Sequence, residues 1–160
     1  MKSKVELEIG LSDKNRQAVA NSLQKLLADE QILYAKTRHY HWNIEGKHFM
    51  ELHKLYENLY NELAETIDSV AERIRQLGHF AQGRLEDTLK QASLLEDEYT
   101  GDADTQLRNL VSDHETLIRS LRKNNEEFAE KYKDVGSADL AADILAQHEK
   151  WAWFLRSYLK

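Results

Sequence analysis

Between His41 and Glu72 the chain reads HWNIEGKHFMELHKLYENLYNELAETIDSVAE. Among its histidines and carboxylates, five stand out by their spacing as possible metal ligands: His41, His53, Glu57, Asp68 and Glu72. The last four form two i,i+4 pairs, His53/Glu57 and Asp68/Glu72, and residues four apart share a helix face. At about 100° per residue, all four fall within an arc of roughly 100°. The apolar residues of the same stretch, including Leu52, Leu55, Leu59, Leu63, Ile67, Val70, Ile74 and Leu77, are centred roughly 140° away. The ligand-type face is therefore not the face that fills the core of its own domain. Imidazole and carboxylate with open coordination positions suit iron, and also zinc or manganese.

One helix cannot bring all four residues to one ion. At 1.5 Å per residue, Glu57 and Asp68 stand about 16 Å apart and His53 and Glu72 about 28 Å, whereas ligand bonds are only about 2 Å long. The two pairs share one midpoint, between Glu62 and Leu63. Two copies of the helix crossing antiparallel about a two-fold axis there would set His53 against Glu72 of the other copy. Glu57 would then face the other copy's Asp68. Two identical mixed sites result, each shared between subunits, as an isologous interface requires. His41, at the end of the preceding helix, could complete each site. Carboxylates on an amphipathic helix usually form only a solvated face; the symmetric spacing is what argues for more.

The elements that would position these residues can be read in order. Residues 1–11 form a short tail in which Lys2 and Lys4 are followed by Glu6 and Glu8. A single domain occupies 12–160. Ser12 is a candidate N-cap for a first long helix over 13–43, with Asp13 favourable in its first turn. A turn at Gly46 leads to a second helix over 48–77, and Gly78 suits the residue just past its end. A less regular stretch, 79–101, holds a short helix around 85–92. The third long helix is expected over 103–132, broken at Gly136, and the fourth over 138–158, capped by Ser137. A long connection between the second and third helices joins parallel neighbours, which is the crossover of a ferritin-type bundle. The fold class is all-α: a ferritin-like four-helix bundle with a short extra helix between helices two and three.

Composition excludes several classes. The chain has 160 residues, 31% charged and 41% apolar, with no proline and no cysteine. That is enough for one domain with a proper core and leaves no disulfide or thiol chemistry. No apolar run is long enough to span a membrane and no secretory leader is visible, which points to a cytoplasmic or nucleoid-associated protein. The E-x-x-H motif of sites inside one bundle occurs only as Glu45–His48, interrupted by Gly46 at a turn, which favours a site between subunits. No phosphate loop or nucleophilic triad is present.

The residues HWN at 41–43, His53 twelve positions on, DSVAERI at 68–74 and ADILAQHEKWAWFLRSYL at 142–159 resemble the Dps mini-ferritins, the DNA-protecting proteins of starved bacterial cells. The likeness covers nearly the whole chain. It implies a ferroxidase centre between two-fold related subunits, with His41, His53 and Glu57 from one and Asp68 and Glu72 from the other. It implies a hollow homododecamer that oxidises Fe²⁺, preferentially with H₂O₂, and stores the Fe³⁺ oxide. It also implies that Asp139 and Asp143 line three-fold pores that admit Fe²⁺; the plain alternative for the acidic set Asp134, Asp139 and Asp143 around the start of helix four is complementation of the helix dipole, which suits Asp139. One departure is Glu57, where the family commonly has Asp: the charge is kept but the carboxylate reaches one methylene further. Trp42, Trp151, Trp153 and the seven tyrosines are mostly core or interface anchors; Tyr40 and Trp42 also flank His41 and could take up stray oxidising equivalents there. His79, His114 and His148 show no partner pattern.

DNA binding is expected to be weak or absent. The net charge is −6, and the two lysines of the tail are offset by two glutamates. Phosphate binding needs clustered cations, and twelve copies would carry roughly −72, which repels DNA at long range. Two other readings stand beside the ferroxidase: a host-interaction assembly protein that oxidises iron poorly, and a DNA-compacting protein.

Overall fold

The computed structural model describes residues 6–159 and is all-helical. The expected alternation of charge at Lys2 and Lys4 lies outside the described residues. Helix α1 spans Asp13–Asn43, α2 Phe49–Gln76, α3 Leu85–Gln91, α4 Ala103–Glu126 and α5 Val135–Ser157. Ser12 caps α1, its side chain accepting from the Asn15 backbone N–H, which satisfies one of the orphan donors of a helix start. Gly46 (φ +101°) and Gly78 (φ +89°) take the left-handed conformations that end one helix connection and terminate α2.

α1 and α2 form an antiparallel hairpin, with Tyr34 packed on Tyr60 and His41 on His53. α4 and α5 form a second, joined by bonds such as Asn125 Nδ2 to the Ala138 carbonyl (2.7 Å). The crossover carrying α3 runs along α1 and is fixed there by buried carboxylates. Asp29 accepts from the backbone N–H groups of Ser93 and Leu94. Lys36 lies between Asp97 of the crossover (2.6 Å) and Asp113 of α4 (2.5 Å). The core between the hairpins is built from Leu23, Leu27, Leu33, Leu59, Leu63, Leu110, Leu117, Leu121, Phe128 and Leu155, all at most 3% exposed. Tyr56 and Thr66 of α2 are buried with them.

The third-to-fourth connection differs from expectation. α4 passes into one π-helical turn, Glu127–Lys131, with the Tyr132 N–H on the Glu127 carbonyl (3.0 Å). The break falls at Lys133, which is left-handed (φ +58°), rather than at Gly136. Asp134, not Ser137, caps α5: its side chain accepts from the Ser137 N–H (3.0 Å) and hydroxyl (2.6 Å) and pairs with Arg73 (2.7 Å). Gly136 lies inside the first turn, where an added Cβ would stand 2.9 Å from Arg73 Nη2. The glycine makes room for an arginine rather than ending a helix.

Candidate metal centre

The end of α1 and the start of α2 bring His41 and His53 together. Their rings stack with centroids 3.8 Å apart and an 18° interplanar angle. His41 Nδ1 lies 2.7 Å from the His53 carbonyl, and His53 Nδ1 lies 2.8 Å from the His41 carbonyl. A carbonyl can only accept, so each Nδ1 carries the hydrogen. The lone pair of each neutral ring is then on Nε2, which makes no hydrogen bond among the described residues. Orientation of a ligating imidazole through its other nitrogen is how proteins build a metal-binding histidine. The reciprocity follows from the antiparallel register of α1 and α2 across the Gly46 turn. Phe49 stacks on His53 at 5.1 Å, and Tyr60 meets His41 edge-on at 5.3 Å.

Glu57, one turn beyond His53, is half-buried and bonded to Lys54 Nζ at 2.6 Å. That bond and the Lys54 charge, with lesser help from His41 and His53, hold its carboxyl below the usual range. Asp68 and Glu72 sit further along α2, both exposed, and neither makes a hydrogen bond or ion pair among the described residues. No group of three His, Asp or Glu side chains able to hold an ion occurs among the described residues. One chain thus offers two incomplete halves on α2, as the helical spacing requires. Glu62, at the midpoint of the two halves, is turned away into its own bundle, accepting from Trp151 Nε1 (2.7 Å) and Gln147 Nε2 (2.8 Å).

Other expectations fare differently. Tyr40 is fully buried, with its hydroxyl accepting from Asn109 Nδ2 at 2.8 Å. The aromatic neighbour of His41 is Tyr60. Trp42 is 62% exposed, with Arg38 over its ring at 5.3 Å. Asp139 and Asp143 are both exposed on α5, but α5 begins at Val135 and has no acidic residue in its first turn, so Asp139 does not complement the dipole there. His114 and His148, without a visible pattern in sequence, are bonded to each other in the core.

Comparisons with known proteins agree with this architecture. A ferritin-like domain model matches residues 20–160. The chain is 42% identical to a low temperature-induced protein of Nostoc, over 96% of this chain and 87% of that one. It is 37% identical to the DNA protection during starvation protein of Porphyromonas gingivalis, over 93% of each chain. The crystal structure of a Dps protein from Vibrio cholerae O1, described as one of the ferritin-like diiron-carboxylate proteins, superposes with a TM-score of 0.92 at 36% identity, covering 99% of this chain and all of that one. The antiparallel helix pairs, the long crossover and these relatives together establish that this chain is a member of the Dps family of mini-ferritins.

Proposed function

We propose that the chain is an iron-storage and peroxide-detoxifying ferroxidase. Its Fe²⁺ substrate binds between two copies, His41, His53 and Glu57 coming from one and Asp68 and Glu72 from the other. The single observation that carries this reading is the reciprocal lock of His41 and His53, which leaves two Nε2 lone pairs without a partner among the described residues. Neutral imidazoles retain Fe²⁺, and the three carboxylates favour the harder Fe³⁺ product. Zinc or manganese would fit the same donors as substitutes. Two Fe²⁺ give one electron each to H₂O₂; its O–O bond breaks, two protons are taken up and two waters form, so no hydroxyl radical is released.

A second copy is the partner that the surface suits. The face of α2 that carries the ligands includes Ala64, exposed at the crossing point, whose small side chain lets two helices approach closely. The crossover exposes Phe80, Leu85, Leu89, Leu95 and Tyr99, apolar side chains that further copies would cover in an assembly. In this reading twelve copies enclose the oxide, and Asp139 and Asp143 of α5 draw Fe²⁺ through pores, since a ring of carboxylates attracts cations. No described helix is long and apolar enough to cross a membrane, and the location proposed is the cytoplasm.

The test is anaerobic Fe²⁺ loading followed by a stoichiometric H₂O₂ pulse, read by absorbance. Wild type should oxidise iron rapidly, and His53→Ala with Asp68→Ala should not. Equal, slow oxidation in both would leave an assembly protein without ferroxidase activity. DNA should not shift in a gel at neutral pH and physiological salt without divalent cations; a tight complex would favour the DNA-compacting reading instead.

A further inference from the structure

The bundle core holds a continuous polar chain across three helices. His148 Nε2 of α5 stands 2.8 Å from Glu30 Oε1 of α1, and His148 Nδ1 stands 2.8 Å from His114 Nδ1 of α4. Glu30 and His114 are 0% exposed and His148 is 2% exposed. Two nitrogens at that spacing share one hydrogen, donated by one and accepted by the other. Both ends of the chain stop short: Glu30 Oε2 and His114 Nε2 are buried without a hydrogen-bond partner among the described residues. Buried polar atoms without partners are uncommon and costly, so these two ends call for a reason. None of the three residues belongs to the centre described above, and Glu30 lies eleven residues before His41 on α1.

We infer that Glu30, His148 and His114 form an acid-sensitive lock: they hold α1, α5 and α4 at one level of the bundle, and a proton added at the His114 end opens them. A partly satisfied chain specifies one packing arrangement because a slip of α5 breaks both bonds and a slip of α1 or α4 breaks one. It is also the weakest part of the core towards acid. Charged His114 would have no acceptor at Nε2 among the described residues and would meet His148 through Nδ1, both rings being buried.

Among the described residues no carboxylate bonds His114 directly. From α5 the facing group is His148, and from α1 it is Glu30, already bonded to His148. Lys36 of α1 is taken up by Asp113 and Asp97. The buried residues of α2 include no ionisable group except the Tyr56 phenol, and Glu62 is bonded to Trp151 and Gln147. Burial, with the nearby His148, accordingly holds the His114 pKa well below the ordinary histidine value. A histidine lowered in the fold contributes full stability above the unfolded value, about 6.5. That contribution is lost as pH falls below it, because the unfolded chain then binds a proton that the fold does not.

The test is urea unfolding of the assembled protein, followed by helical circular dichroism at one protein concentration, for wild type and His114→Asn. The asparagine amide occupies the place of Nδ1 and does not titrate. From pH 7.5 to 5.5 the unfolding constant of wild type should rise roughly tenfold more than that of the variant. Parallel pH dependences would overturn the inference. Should His114→Asn fail to fold, deuterium exchange at the imidazole C2 position of wild type reads the same property. His114 should show its inflection well below that of exposed His48, and a shared inflection would overturn the inference equally.

Discussion

Two histidine pairs in this molecule have opposite fates. His41 and His53 lie flat on one another, 3.8 Å apart at 18°, and spend each Nδ1 on the other's backbone carbonyl. His114 and His148 are tilted at 53° with centroids 4.9 Å apart, and turn Nδ1 on Nδ1. The first pair leaves both Nε2 atoms without a partner among the described residues; the second spends three of its four ring nitrogens on bonds in the core and buries the fourth, His114 Nε2, without one there. Residue type is the same, so what makes a histidine a candidate ligand is where its second nitrogen ends up. In the first pair the backbone of an antiparallel turn supplies the acceptors, and function is left over. In the second, other side chains supply them, and stability and register are what result.

The comparison breaks most visibly in the core. Glu30→Leu leaves His148 Nε2 buried without its partner, which should cost about 2–4 kcal/mol of unfolding free energy. Urea denaturation measures this directly. The proposed iron chemistry should be unchanged in the assembled fraction, because Glu30 and His148 make no contact with His41 or His53. A variant that lost iron oxidation with its stability intact would mean that the two pairs are coupled.

His41→Gln should do the reverse. It removes an aromatic nitrogen donor and the bond to the His53 carbonyl but leaves the core chain alone. Peroxide-driven iron oxidation should fall at least roughly 100-fold, the upper end of what a lost supporting group costs a metal site. Stability should change by about 1 kcal/mol, one hydrogen bond. Stopped-flow absorbance and urea unfolding separate the two effects.

How far each pair could be read from the sequence follows from the same contrast. The i,i+4 spacing on α2, and its incompatibility with a single ion, come from helical geometry alone. The caps at Ser12 and Gly78 were local and visible. The reciprocal carbonyl bonds of His41 and His53 were not, because they need the register of α1 against α2. Glu30, His114 and His148 were illegible for a stronger reason: their bonds join residues 34 and 118 positions apart, on helices whose rotation no local pattern sets. Tyr40 is the core anchor that its residue type suggests, because adjacency to His41 in sequence is about 100° of rotation on a helix, which places Tyr40 in the core. Gly136 misled because glycine usually ends helices, whereas here it clears space for Arg73. The start of α5 was set by Asp134, whose dual role as cap and ion-pair partner only the tertiary fold reveals.

The smallest effect tests whether the surface pair is as open as it looks. Lys54 Nζ bonds Glu57 at 2.6 Å, with the two side chains 62% and 34% exposed. A cation entering the His41–His53 half-site meets a carboxylate already shared with an ammonium, and it must displace or tolerate that charge. Lys54→Gln removes the competitor without shortening the side chain much. Zn²⁺ binding measured by titration calorimetry at low salt should tighten about two- to fivefold, as expected for an exposed ion pair. The gain should shrink at about 0.5 M salt, where such charges are screened. Weaker binding in the variant would give Lys54 the other role, holding Glu57 in place for the ion, and the surface half-site would then share with the buried chain a dependence on side-chain partners for its geometry.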